Sequence, residues 1–183
     1  MDTKTFPLLL LAASGLLCAL GADSQERPST PAGSASGEAV DVAALQAEVE
    51  RLRSIMPGQA FAMTQVAYNF NNLWFAAKAE NWSLAQFYFN ETRVRLRWAM
   101  RITPTRKISS GEITLAPILE ALETSQLAAL EKSVGGHDVQ QFEAAYRATL
   151  EGCHGCHAAS EKPYLRLQIP VAPAESLIKF DPE

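Results

Sequence analysis

Residues 138–160, DVQQFEAAYRATLEGCHGCHAAS, contain the pattern that best predicts the fold of this chain. Apolar side chains such as Phe142 and Tyr146 recur there at helical spacing. Asp138 stands where a side-chain oxygen can accept a hydrogen bond from the first turn of a helix. The stretch therefore predicts a helix that runs directly into the motif Cys-x-x-Cys-His at residues 153–157.

The motif places three chemically distinctive side chains on one helical face. Positions i, i+3 and i+4 of a helix share a face, so Cys153, Cys156 and His157 point the same way. Each thiol can add to a haem vinyl group, and the imidazole can bind the iron from the same side of the ring. The spacing predicts one covalently attached haem c, with Cys153 and Cys156 as the anchors and His157 as the proximal iron ligand.

Other uses of the two cysteines are less well supported by the sequence. A structural zinc site needs four ligands, and the further candidates are His154, on another helical face, and His137, in a loop. A thioredoxin-like pair would follow a strand, whereas a helical pattern precedes this motif. A simple disulfide between Cys153 and Cys156 is a further alternative.

The N-terminus has the pattern of a secretory signal over residues 1–21. A lysine-bearing start is followed by an apolar run from Leu8 to Leu20 and then by small residues. We expect an exported, periplasmic protein, which agrees with the motif because haem c is attached outside the cytoplasm. Cleavage would remove Cys18 and leave two cysteines. The alternatives are an uncleaved membrane anchor or lipidation at Cys18, and only these predict membrane contact.

Two segments separate the signal from the main body. Residues 22–40, rich in Ser, Pro, Gly and Ala, predict a flexible linker. Residues 41–56 predict a short amphipathic helix, since apolar residues recur at alternating spacings of three and four. Two heptads make a weak coiled-coil seam, so we expect this helix to pack on its own domain. A homodimer and docking onto a larger redox complex are the alternatives.

Four longer helical patterns lie within residues 57–162, and they predict an all-α, up-and-down four-helix bundle. The first three cover about 59–80, 84–102 and 115–134, and the fourth begins after Asp138. No strand is predicted, and the segment between the second and third helices is expected to be a polar loop. Residues 163–183 predict an irregular tail, because Pro163, Pro170 and Pro173 prevent a continuous helix. The second helix is expected to turn these residues inward: Leu84, Phe87, Val94, Trp98 and Ile102.

The chain resembles the class II c-type cytochromes, the cytochrome c′ group, and exported bacterial haem proteins related to them. The resemblance rests on Leu73-Trp74-Phe75-Ala76, Asn81-Trp82 and Leu84-Ala85, followed by the haem motif about seventy residues later, and it covers about residues 57–170. It implies a distal iron ligand near the start of the first helix, where Met63 stands. Methionine there gives a six-coordinate electron carrier, whereas an apolar residue leaves a gas-binding iron. Met56 and Met100 are weaker candidates.

Charge and composition narrow the function further. The net charge is −4, with acidic and basic residues interspersed, which predicts no nucleic-acid partner. Arg93, Arg97 and Arg101 follow one another at spacings of four, with Arg106 nearby. They indicate a solvated face, or a patch for an acidic redox partner or for the haem propionates.

The sequence contains no nucleophile with a partnered base and no carboxylate pair, so it predicts no enzyme. We expect an exported mono-haem electron carrier that exchanges electrons with a redox partner protein. A gas-binding haem protein for NO or CO and a haem subunit of a larger complex are the alternatives.

Overall fold

The computed structural model describes residues 41–174 and 177–182. The expected signal peptide at 1–21, the linker at 22–40 and Cys18 lie outside the described residues. The chain divides into two units, Met1–Val42 and Ala43–Glu183, and the fold described here is that of the second.

The described residues are predominantly helical, which confirms the expected class at that level. No helix among them is both long enough and apolar enough to cross a membrane. The elements, in chain order, are α1 Val42–Ile55, α2 Gln59–Lys78, α3 Trp82–Ile102, β1 Thr105–Ile108, β2 Gly111–Thr114, α4 Ala116–Thr124, α5 Gln126–Gly135 and α6 Val139–Ala159.

Helix α1 is exposed along its whole length. None of its residues is buried, so the expectation that it packs on its own domain is wrong. Pro57 and Gly58 separate it from α2, and its apolar side chains face solvent.

The core joins α2 to α6 through aromatic side chains. The ring of Phe70 on α2 stacks on Tyr146 of α6, with ring centroids 4.2 Å apart. The hydroxyl of Tyr146 donates a hydrogen bond to the carbonyl oxygen of Phe70 at 2.8 Å. Trp74 on α2 packs against both Tyr146 and Phe142. This packing buries the face of α6 that precedes the cysteine motif.

Helix α3 begins at an asparagine cap but turns a different face inward from the one expected. The side-chain oxygen of Asn81 accepts a hydrogen bond from the backbone N–H of Leu84 at 3.1 Å. Phe87 and Val94, expected to be inward, are 54% and 52% exposed. The helix instead buries a set that includes small and polar residues: Ala85, Tyr88, Phe89, Thr92, Leu96 and Ala99.

The expected polar loop after α3 is a β-hairpin. Strands β1 and β2 pair antiparallel around Ser109 and Ser110, with Arg106 opposite Ile113. Gly111 has a φ of +138°, a conformation that other residues adopt only with strain. β-branched residues favour the strand conformation, and four residues per strand are too few to show a clear alternation in the sequence.

The expected third helix is two helices. Its path breaks at Ser125, where φ is −117° and ψ is −89°. The hydroxyl of Thr124 donates to the carbonyl of Glu120, and that of Ser125 donates to the carbonyl of Ala121. Such bonds from Ser and Thr compete with the helical backbone ladder. The apolar pattern, which predicts one helix over about 115–134, does not reveal this break.

Helix α6 carries the motif and the tail follows it. Asp138 caps the helix by accepting a hydrogen bond from the N–H of Gln141 at 2.9 Å. None of the described residues after Ser160 lies in a helix or strand. The tail lies against α2, where the N–H of Ala174 donates to the side-chain oxygen of Asn72 at 2.9 Å. Farther along, Phe180 packs against Phe75 and Tyr88.

Candidate functional site

A cleft of about 780 Å³ opens at one end of the helical body. The start of α2, the end of α3, helix α4, the last turns of α6 and the beginning of the tail form its wall. Most of the lining is apolar, with side chains such as Val66, Phe70, Leu96 and Leu122. The volume falls within the roughly 300–1,000 Å³ of small-molecule and cofactor sites.

All four residues predicted for the site line this cleft. Cys153, Cys156 and His157 come from the last turns of α6, and Met63 comes from α2. The two thiols are not joined in a disulfide. Met100 also lines the cleft, whereas Met56 is exposed and lies outside it. Two methionines, not one, therefore face the space beside the motif.

The environment of the thiols is one that keeps them protonated. Burial, assisted by the neighbouring Cys156, raises the pKa of Cys153 to about 12. Burial also raises the pKa of Cys156, against the opposing effects of Ser160 and Arg106. Reactive redox cysteines have a lowered pKa in an electropositive, exposed setting. Neither cysteine fits a thioredoxin-like role.

A zinc site is also poorly supported. In the described part of the chain, no three or more His, Cys, Asp or Glu side chains are grouped so that they could hold a metal ion. Cys153, Cys156 and His157 are therefore not grouped as ligands of one structural zinc ion, which requires four. A c-type haem would need only one ring nitrogen of His157 as an iron ligand. Its bonds to the two thiols would be made by the vinyl groups and not by the metal.

The imidazole of His157 is oriented by the tail. Its Nδ1 donates a hydrogen bond to the carbonyl oxygen of Leu165 at 3.2 Å. Because a carbonyl can only accept, the Nδ1 atom carries the proton and the Nε2 lone pair is available to a metal. This is the second-sphere contact that metal-binding histidines usually make.

The two other histidines lie in different settings. Nδ1 of His154 approaches the carbonyl oxygen of Leu165 at 3.4 Å, but His154 does not line the cleft. His137 is an exposed residue at which the chain turns, and its ring stacks on that of Trp82 at 5.3 Å. Only His157 combines a free Nε2 with a position on the cleft wall.

Arg106 is a cleft residue that the sequence indicated only as a neighbour of the α3 arginines. It lies on β1, and one of its terminal NH₂ groups donates a hydrogen bond to Gln59. Its Nε is buried and has no hydrogen-bond partner among the described residues. A buried donor without a partner is unfavourable, and a carboxylate is the partner that a guanidinium binds most strongly. Lys162 gives the same wall a second cation.

Three of the four arginines of α3 are engaged in ion pairs, and the fourth, Arg101, is exposed. Arg93 pairs with Glu131 at 3.0 Å, Arg95 with Glu91 at 3.1 Å, and Arg97 with Glu123 at 2.6 Å. Partly exposed pairs of this kind contribute little to stability, and they neutralise the charge of the face. This favours the interpretation of a solvated face over that of a docking patch.

The three tryptophans belong to the packing of the helices. Trp74 is buried in the core, Trp82 stacks on His137, and Trp98 makes an edge contact with Phe61. None of the three lines the cleft. Comparison with family models, with curated proteins and with solved structures gave no match.

Proposed function

We propose that this chain is an exported, periplasmic mono-haem c-type cytochrome that carries single electrons to a redox partner protein. The observation that carries the proposal is the cleft, whose wall combines Cys153, Cys156 and His157 with Met63. The motif alone could arise by chance. A mostly apolar space of cofactor size beside it, bounded by a second potential ligand, is not expected from a chance motif.

The fold is proposed to be a four-helix bundle of the class II cytochrome type. In this arrangement α2, α3 and α6 are three of the helices, and the broken pair α4 and α5 forms the fourth. The aromatic packing of α2 on α6 and the ion pairs from α3 to α4 and α5 support such a bundle.

Each group on the cleft wall has a distinct task in this proposal. Cys153 and Cys156 would form the thioether bonds of a bound haem, and the contact with Leu165 would keep the proton of His157 on Nδ1 and leave Nε2 available to the iron. Arg106 and Lys162 would offset the negative charge of the propionates. When bound, haem supplies an iron that gains and loses one electron. The apolar side chains exclude water around it and so help to set its reduction potential.

The cleft is open along one side, which supports electron exchange. Thr64 and Ala67 on α2 and Leu165 and Leu167 on the tail line it and are also exposed. A cofactor held there would present an edge to solvent, where a partner protein can approach. In this proposal, a partner protein exchanges electrons with the cofactor at this exposed edge.

A gas-binding haem protein is the second candidate, and it is favoured by the residues around Met63. Ala60 and Ala67 flank Met63 on the same face of α2, and all three line the cleft. Such small neighbours leave space for a diatomic molecule if the methionine does not bind iron.

The first test is covalent haem attachment in the protein isolated from an exporting host that matures c-type cytochromes. We expect intact mass and the reduced pyridine spectrum to give one haem per chain, with two thioether bonds. Cys153→Ala and Cys156→Ala should each leave one thioether bond and a shifted reduced spectrum. A protein isolated without any covalent haem would overturn the proposal.

The histidines and methionines provide matched controls. His157→Ala should alter the iron spectrum, whereas His154→Ala on the same helix should leave it nearly unchanged. Met63→Ala should remove the weak far-red band of iron–methionine ligation and convert the iron to high spin. Met100 lines the same cleft, and Met100→Ala should retain the band and the low-spin iron. A high-spin wild type that binds carbon monoxide, unchanged by Met63→Ala, would replace electron transfer by gas binding.

A further inference from the structure

Helix α1 displays a continuous apolar seam that the rest of the described chain does not cover. Val42, Leu45, Val49 and Leu52 are between 44% and 62% exposed. They alternate at spacings of three and four, so they form the a and d positions of two heptads. Exposed apolar residues scattered singly are ordinary, but a contiguous stripe marks an interaction surface.

The residue types in the seam indicate what covers it. Valine occupies both a positions and leucine both d positions. β-Branched residues at a together with leucine at d favour a parallel, two-stranded coiled coil. A second copy of α1 is the simplest partner with this pattern, because every chain carries it.

The flanking charges also fit a parallel pair. In the heptad register set by the seam, Glu48 occupies a g position and Arg53 the e position of the next heptad. Parallel helices bring g of one chain beside this e of the other, so Glu48 would face Arg53 twice across the dimer. An antiparallel pair with the same apolar layers aligned would instead bring Glu48 towards Glu48 of the other chain, a repulsive contact, and would separate Glu48 from Arg53.

The ion pairs within one α1 helix do not prevent Glu48 and Arg53 from pairing across a dimer. Glu48 pairs with Arg51 and Arg53 pairs with Glu50, each at 2.7 Å. All four side chains are more than half exposed, so these contacts are weak. Glu48 and Arg53 can therefore turn towards a second chain with little loss of free energy.

We propose that α1 forms a parallel, two-stranded coiled coil with α1 of a second copy of this chain. The seam has only two heptads, and helices of this length are marginal alone, so the dimer is reversible and depends on protein concentration. Because the pairing is parallel, both helical bodies follow the coiled coil at the same end. The inference does not depend on haem.

The first test measures the mass of the full chain by analytical ultracentrifugation over a range of concentrations. We expect a monomer–dimer equilibrium in the wild type and monomer throughout in Leu45→Glu/Leu52→Glu. The control Ala47→Glu/Ser54→Glu adds the same charge at f positions, on the outside of the coil, and should still dimerise. Far-UV circular dichroism and thermal unfolding should show that the helical body of each variant is intact.

The second test addresses the register. Glu48→Arg alone should raise the dimer Kd by roughly three- to tenfold, and adding Arg53→Glu should restore it to within about twofold of the wild type. A wild type that stays monomeric would overturn the proposal, as would a dimer that tolerates Leu45→Glu/Leu52→Glu. A dimer that is lost instead in Phe87→Glu/Val94→Glu would assign the interface to α3 and likewise refute pairing through α1.

Discussion

Replacing Gly152 by alanine tests how closely α4 approaches α6 next to the cleft. A Cβ atom on Gly152 would lie 2.5 Å from the Cδ1 atom of Leu122, whereas a Cβ on Gly155 would meet no atom within 4 Å. Both glycines lie within α6, Gly152 directly before Cys153 and Gly155 directly before Cys156. Gly155→Ala is therefore a matched control for the same substitution in the same helix.

The expected magnitudes follow from two opposing effects. Alanine is more favourable than glycine inside a helix by about 1 kcal/mol, and both variants share this gain. Only Gly152→Ala also creates a clash. The Cδ1 atom of Leu122 must move by about 1 Å or more to reach the roughly 3.5–4.0 Å of ordinary carbon contacts. Overpacking of this kind costs about 1–3 kcal/mol.

We therefore expect Gly155→Ala to be more stable than the wild type by about 1 kcal/mol. Gly152→Ala should be less stable than Gly155→Ala by about 1–3 kcal/mol. The assay is urea unfolding of the haem-free chains followed by far-UV circular dichroism. In a Leu122→Ala background the two glycine variants should become equal, since the clashing atom is gone. Equal stabilities in the wild-type background would refute the close approach of α4 to α6.

Three further outcomes are expected for the haem-free chain. Burial raises the pKa of Cys153 to about 12, so the folded chain holds that proton more tightly than the unfolded chain. The free energy of unfolding should then fall as pH rises from the ordinary cysteine pKa towards 12, by up to about 1.4 kcal/mol per pH unit. Denaturant titrations at a series of pH values measure this slope, and Cys153→Ala should reduce it. Tyr146→Phe removes the buried hydrogen bond to Phe70 and should destabilise the chain by about 1 kcal/mol in urea unfolding; no loss would mean that the hydroxyl is hydrated. Asn81→Ala removes the cap of α3 and should lower stability by about 1 kcal/mol with little loss of helix, whereas the conservative Asn81→Asp should retain the cap.

The parts of the fold that follow local rules could be predicted from the sequence. The caps at Asn81 and Asp138 are formed by short polar side chains at the start of apolar periodic stretches, and both accept a hydrogen bond from the next turn. Pro104 follows the end of α3, as expected from its missing N–H. These features depend on neighbours within one turn, which the sequence contains.

The parts of the fold that depend on tertiary contacts could not be predicted from the sequence. The buried face of α3 combines large apolar residues with Ala85, Ala99 and Thr92, so its apolar pattern is no clearer than that of the exposed Phe87 and Val94. Thr92 is tolerated inside because its hydroxyl donates to the carbonyl of Tyr88 at 2.8 Å. Size and hydrophobicity therefore do not distinguish the two faces of α3, and the contacts with other helices that do so are not contained in the local sequence.

The sequence pointed to the site residues in two ways. Cys153, Cys156 and His157 are close together in one motif, and Met63 was indicated by the resemblance. The motif and Met63 were proposed from these two sources, and they line the same cleft. Arg106 lies in the segment interpreted as a loop, so its sequence neighbours did not distinguish it from the paired arginines of α3. The β-branched residues on both sides of Ser109, Ser110 and Gly111 are the signal that could have suggested a hairpin there.

The hydrogen bond from His157 to the tail makes the orientation of the imidazole independent of which side chain stands at position 165. The acceptor is the backbone carbonyl oxygen of Leu165, a group that every residue carries. The exposed side chain of Leu165 can therefore be replaced while the imidazole keeps its acceptor. The feature that must be kept is the turn of the backbone between these residues, where the N–H of Leu165 donates to the carbonyl oxygen of Lys162 at 3.0 Å.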